Sequence, residues 1–187
     1  ILGYTTLSFI GLSETESISK YKSSPPRSGG PAEFLGADKT GSPLSTSTCT
    51  LCHGPSNANT TTTIQVKDMS NTPITQYTPG DTYTIEVTVN NGSMTEFGMQ
   101  MVALTSANNQ AGTISTPSSN AQIFNLSGVQ YLEHNSTTNG AGSAIYTSMW
   151  MAPTAGSGTL TLYGVGIGVN GNGNTSGDQT SSPINMQ

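Results

Sequence analysis

Of the two cysteines and two histidines in this 187-residue chain, three fall in one run, Cys49-Thr-Leu-Cys52-His53. Two thiols three positions apart, followed at once by an imidazole, form the attachment signature of c-type haem. The spacing has a chemical reason. The two thiols add across the vinyl groups on one edge of a porphyrin, and the two intervening residues let the backbone curl until the next imidazole reaches the iron. On this reading Cys49 and Cys52 are the thioether anchors of one covalent haem c, and His53 is the proximal iron ligand. Other chemistries use the same residue types. A redox disulfide of thioredoxin type expects a βαβ context, which the sequence lacks. A zinc site would need Cys49, Cys52 and both histidines, and adjacent Cys52 and His53 make poor tetrahedral partners. A local disulfide or a pair of free thiols completes the set of alternatives.

The sixth iron position has several candidates. His134, in Tyr131-Leu-Glu-His134, is the only other histidine and the expected distal ligand. Met69, Met94, Met99, Met101, Met149, Met151 and Met186 compete with it, as do an open site or a partner's side chain. Met99 and Met101, like Met149 and Met151, lie two apart on expected strands, so each pair shares a face and reads as core packing. Two imidazoles set a lower reduction potential than a His/Met pair.

The elements that must position these side chains are strands. Thr82–Asn90 alternates with period two, placing Tyr83, Ile85, Val87 and Val89 on one face. Tyr77-Thr-Pro-Gly-Asp81 before it is a turn, with Pro79 setting φ and Gly80 permitting a positive φ. Phe97–Thr105, Ile145–Met151 and Thr159–Val169 are further strands, and 122–124 and 129–133 shorter ones. Turn signals at Asn90-Asn-Gly92, Asn108-Asn109, Asn139-Gly140 and Gly156-Ser-Gly158 separate them. Many short strands at this spacing indicate an antiparallel sandwich. No amphipathic helix stands out. Four segments follow: an extension over 1–30, an irregular haem-attachment segment over 31–63, a β-sandwich over 64–179 and a tail over 180–187. The lead-in is broken by proline and glycine and is expected to wrap a surface or a cofactor.

These stretches resemble a known family, the bacterial choice-of-anchor V domain, itself similar to the reeler domain of extracellular proteins. The resemblance rests on Cys49-Thr-Leu-Cys-His-Gly54, Tyr77–Tyr83, Phe97-Gly-Met-Gln-Met101, Gly112 and Tyr131–His134. It continues through Trp150-Met-Ala-Pro153, Gly156-Ser-Gly158, Tyr163-Gly164 and the Asn170–Asp178 loop, and so runs from about residue 31 to 178. It implies an immunoglobulin-like, reeler-like antiparallel β-sandwich, secretion and often a cell-surface address. It also implies a recurring histidine after the Tyr-x-x strand, which matches His134. The long lead-in over 1–30 departs from the family.

Composition narrows the remaining classes. Ten acidic against five basic side chains give a net charge of −5, too few cations to neutralise many phosphates, so nucleic acid is a poor partner. The 29 Thr, 25 Ser and 15 Asn exceed a third of the chain and describe a turn-rich, secreted β protein rather than a helical bundle. Covalent haem makes secretion a requirement, because it is attached outside the cytoplasm; the periplasm is the alternative address. Ile1–Leu12 is apolar but shorter than the roughly 20 residues a membrane span needs. It resembles the core of a secretory signal or a strand that packs on its own domain or on a neighbouring copy. The expected function is electron transfer to redox partner proteins, with copies of the chain plausibly joined into a haem-bearing filament by exchange of that strand. The competing reading is a filament or adhesion subunit whose haem is incidental. A carbohydrate-binding sandwich is weaker, since exposed aromatics are few. Catalysis is not expected, because no nucleophile–base pair or acidic dyad is visible. Asn170–Asp178 alternates Asn and Asp oxygens like a calcium loop but lacks the acidic count and the closing Glu.

Overall fold

A computed structural model describes residues 29–187. The expectations placed on Ile1–Leu12, including strand exchange between copies, lie outside the described residues. Twelve strands form two antiparallel sheets: β1 Thr61–Lys67, β2 Pro73–Ile74, β3 Thr82–Asn90, β4 Glu96–Thr105, β5 Thr113–Ser115, β6 Ala121–Leu126, β7 Val129–His134, β8 Thr138–Asn139, β9 Ser143–Met151, β10 Leu160–Val169, β11 Gln179–Thr180 and β12 Ile184–Met186. One sheet runs β2-β1-β3-β9-β5. The other runs β11-β10-β4-β7-β6, with β12 on β10 and β8 on β4. Among the described residues two short helices precede them, α1 Pro31–Leu35 and α2 Thr50–His53. No helix among the described residues is long and apolar enough to cross a membrane.

The sandwich core follows from the period-two pattern. Ile64 and Val66 on β1, Ile85, Val87 and Val89 on β3, and Tyr146 and Trp150 on β9 face Phe97, Met99 and Met101 on β4. Trp150 is 2% exposed, and its indole N–H donates to Ala111 O at 2.8 Å. Burying such apolar side chains stabilises the fold by roughly 1.5–3 kcal/mol each. Met149 and Met151 differ from the expected core pair. Trp150 and Tyr146 take the inward positions of β9, so the two methionines point outward, and Met151 is 48% exposed.

The lead-in from residue 29 to 60 covers the outer face of the second sheet. Ala32 packs with Val102, Leu104 and Tyr131 in a second apolar cluster, which explains why β4 is buried from Phe97 through Leu104. Buried carboxylates fasten it. Glu133 is fully buried and accepts from Ala32 N–H at 2.8 Å, Glu33 N–H at 3.1 Å, and the side-chain amides of Gln100 and Gln122. Asp38 accepts from Thr40, Ser42 and the Tyr131 hydroxyl. The run 180–187, read from composition as a tail, is part of the sheet. β12 pairs with β10, and Ser181 Oγ accepts from Gly166 N–H at 3.0 Å. β1 starts at Thr61, three residues before the expected boundary.

Candidate functional site

The Cys49–His53 run forms one helical turn. His53 N–H donates to Cys49 O at 3.0 Å, which closes the turn, and Gly54 ends it at a φ of 84°. Such a turn brings Cys49, Cys52 and His53 toward one side. Both cysteines are free; Cys52 is exposed and Cys49 part-buried. Burial pushes the Cys49 thiol up to about 12, against a smaller downward pull from Lys39. A redox dithiol needs the opposite, an attacking sulfur held as thiolate. The described residues contain no group of three or more His, Cys, Asp or Glu that could hold a metal ion. A haem iron takes four of its ligands from the porphyrin and asks only two of the protein.

Asp178 positions His53. The imidazole Nδ1 and the Asp178 Oδ2 lie 2.7 Å apart, across 125 residues of chain. The Asp178 side chain is 1% exposed against 32% for His53. Its other oxygen, Oδ1, accepts from Asn170 N–H at 3.2 Å and so closes the loop over 170–178. Inside that loop the Asn170, Asn172 and Asn174 side-chain oxygens each accept an N–H two residues on. The alternating oxygens that resemble a calcium loop are thus engaged in successive Asx turns.

His134 occupies a gap in the sheet. β7 pairs with β4 through Gln100↔Glu133, and β8 rejoins β4 at Phe97↔Thr138, with the register slipped by two residues. Gly98 and Met99 therefore face no strand on that side. The His134 ring fills the opening. Its Nδ1 lies 2.9 Å from Met99 O and 3.0 Å from Met99 N, and the tautomer decides which bond forms. With Nδ1 protonated it donates to the carbonyl and Nε2 keeps its lone pair. Gly98 supplies the room: a Cβ there would stand 2.9 Å from His134 Cε1 and 3.1 Å from both ring nitrogens.

The two histidines sense each other. Burial is the main cause that lowers the His134 pKa from its ordinary 6.5, and the charge of His53 lowers it further, while Met99 and Glu33 oppose both. The sheet and the lead-in thus bring His53 and His134 within electrostatic reach across the β4–β10 end of the sandwich. No hydrogen bond engages Nε2 of either ring among the described residues. With Nδ1 protonated on each ring, the arrangement offers two imidazole lone pairs, one of them on the turn that carries the two free thiols. A His–Asp pair also begins a hydrolytic triad, but that needs a nucleophile on Nε2, and the described residues place none there. Two open cavities, of about 500 and 720 Å³, are lined by other residues.

Of the expected site residues, Cys49, Cys52 and His53 share a turn and His134 lies in their field. Asp178 and Gly98 were not singled out. A glycine inside a strand pattern is a signal of close approach. Asp178 offers a weaker one, as the only ionisable side chain in its loop.

No protein-family model and no curated protein matches the sequence. Solved structures do. The chain is similar to the human F-spondin reeler domain over 67% of its own length and 86% of that chain, at 17% identity and a TM-score of 0.46. A structure of the Reelin-N domain of F-spondin is similar over 64% of this chain and 86% of its own, at 18% identity and a TM-score of 0.42. Three of these similar structures are reeler domains of F-spondin. At these identities the likeness concerns the antiparallel β-sandwich and nothing chemical.

Proposed function

We propose that the protein is a secreted monohaem c-type cytochrome working in electron transfer. The observation that carries the reading is the Cys49–His53 turn standing within electrostatic reach of His134, with Nδ1 of both imidazoles engaged. A bound haem supplies one-electron exchange between ferric and ferrous iron. The chain's own residues hold and tune it. Cys49 and Cys52 would hold a haem through thioethers, and His53 and His134 would ligate its iron through Nε2. Nδ1 contacts to Asp178 and to Met99 fix ring orientation, as second-shell partners of metal-bound histidines do. Met94, Met99 and Met101 favour His134 as the sixth ligand by their own placement, since all three are buried in the core between the sheets. Ligation by both histidines would leave the iron to exchange electrons rather than bind a substrate.

The test is production with an extracytoplasmic haem-maturation system, read by intact mass and visible spectrum. One covalent haem is expected, lost in a Cys49→Ala/Cys52→Ala variant. The reduced protein is expected to bind carbon monoxide slowly or not at all. Wild-type protein carrying no covalent haem refutes the reading, and a far-red methionine–iron band in the oxidised form removes His134 from the iron.

A further inference from the structure

Burying a carboxylate is costly unless donors or a charge compensate it. Asp178 is buried with a backbone N–H on one oxygen and the His53 ring on the other. Loop closure does not require the charge. Asn170, Asn172 and Asn174 accept backbone N–H groups within the loop with neutral amides. Asp178 alone sends a side-chain oxygen out of the loop to a ring on another segment.

An aspartate here does something an asparagine cannot. Two donors converge on it, Asn170 N–H and His53 Nδ1–H, and ionised Asp is acceptor-only at both oxygens. Asn has one acceptor oxygen. Its NH₂ would face either the Asn170 N–H, which repels it, or His53 Nδ1, which then accepts and leaves the proton on Nε2. A proton on Nε2 blocks ligation there. The carboxylate therefore fixes the Nδ1–H tautomer. Its negative charge also pushes electron density toward whatever Nε2 binds, and burial limits the screening of that charge by water.

We infer that Asp178 is the positioning residue of His53, selecting the tautomer that frees Nε2 and, through its charge, lowering the reduction potential of the group bound there. The inference rests on the haem reading. It extends that reading by making the 170–178 loop, rather than the attachment turn, the element that tunes the ligand.

The experiment uses Asp178→Asn, Asp178→Ala and Asp178→Glu in the full chain, with Asp81→Asn as a control carboxylate. In haem-free protein, ¹⁵N NMR of the His53 ring reads the tautomer directly. Wild type is expected as Nδ1–H, Asn and Ala with a large gain of Nε2–H, and Glu with partial return. In haem-bearing protein, Asn and Ala are expected to raise the potential above wild type and above the Asp81→Asn control, with Glu between. If Ala does not fold, Asn carries the comparison. A wild-type His53 already in the Nε2–H form overturns the inference. So does an Asp178→Asn potential equal to the control's at full haem loading, while leaving the haem reading intact. Wild type without covalent haem overturns the haem reading itself, and this inference with it.

Discussion

Gly98→Ala tests whether His134 is held by the sheet. The new methyl carbon would lie 2.9 Å from Cε1 and 3.1 Å from Nδ1 and Nε2 of the ring. Ordinary contact needs about 3.5 Å or more, so the ring must retreat by roughly half an ångström. Its Nδ1 is held at 2.9 Å from Met99 O and 3.0 Å from Met99 N, and the retreat breaks that contact. Losing the hydrogen bond costs about 1 kcal/mol and overpacking about 1–3. Removing a strand-interior glycine returns about 0.5–1. The net expectation is destabilisation by about 1.5–3 kcal/mol in haem-free protein, read by urea unfolding. A double-mutant cycle isolates the cause. With His134→Ala already in place, Gly98→Ala meets no ring and should be neutral or slightly stabilising, a coupling of at least about 1.5 kcal/mol. Coupling below about 0.5 kcal/mol would refute the reasoning, because the steric cost would then lie elsewhere.

Three further outcomes are expected. Glu133→Gln replaces an all-acceptor carboxylate with one acceptor among four donors and should destabilise by about 3–5 kcal/mol, measured by denaturant midpoint; a change under 1 kcal/mol would mean that water, not Glu133, satisfies α1. Alkylation of haem-free protein at mildly alkaline pH should modify exposed Cys52 well before Cys49, whose thiol burial pushes up to about 12; equal rates by mass spectrometry would contradict the buried sulfur. The His134 pKa is depressed, chiefly by burial, so the unfolded chain takes up a proton near 6.5 that the fold refuses. That contribution is whole above about pH 6.5 and is lost as the pH falls toward the folded value. The wild-type stability difference between pH 7.5 and 5.5 should shrink in a His134→Gln variant, and an unchanged difference would assign the slope to other groups.

Local patterns were legible in the sequence. Thr82–Asn90 is a strand over those nine residues, because Tyr83, Ile85, Val87 and Val89 repeat every second position against one core. Phe97–Thr105 was legible for the same reason, since its signal lies within one element. Strands of two or three residues, such as β2, β8 and β11, are too short for a period to emerge, and tertiary pairing alone creates them. The outward turn of Met149 and Met151 depended on which face of β9 Trp150 would claim, a choice made by the opposite sheet. The His53–Asp178 contact has no local signature, since its 125-residue separation leaves neither spacing nor periodicity to read. The register slip that opens the His134 gap involves three strands and is equally invisible along one of them.

The same separation sets an order of events during synthesis. Cys49–His53 emerges first, His134 some eighty residues later and Asp178 125 residues after His53, so until then the turn lacks the carboxylate that holds its imidazole. Both thiols stand open on a segment that cannot yet fold, including the Cys49 sulfur that the finished sandwich buries. The 125-residue reach from His53 to Asp178 is also the kind of long-range contact that makes folding slow. The time before Asp178 emerges is therefore the interval in which the chain is chemically receptive.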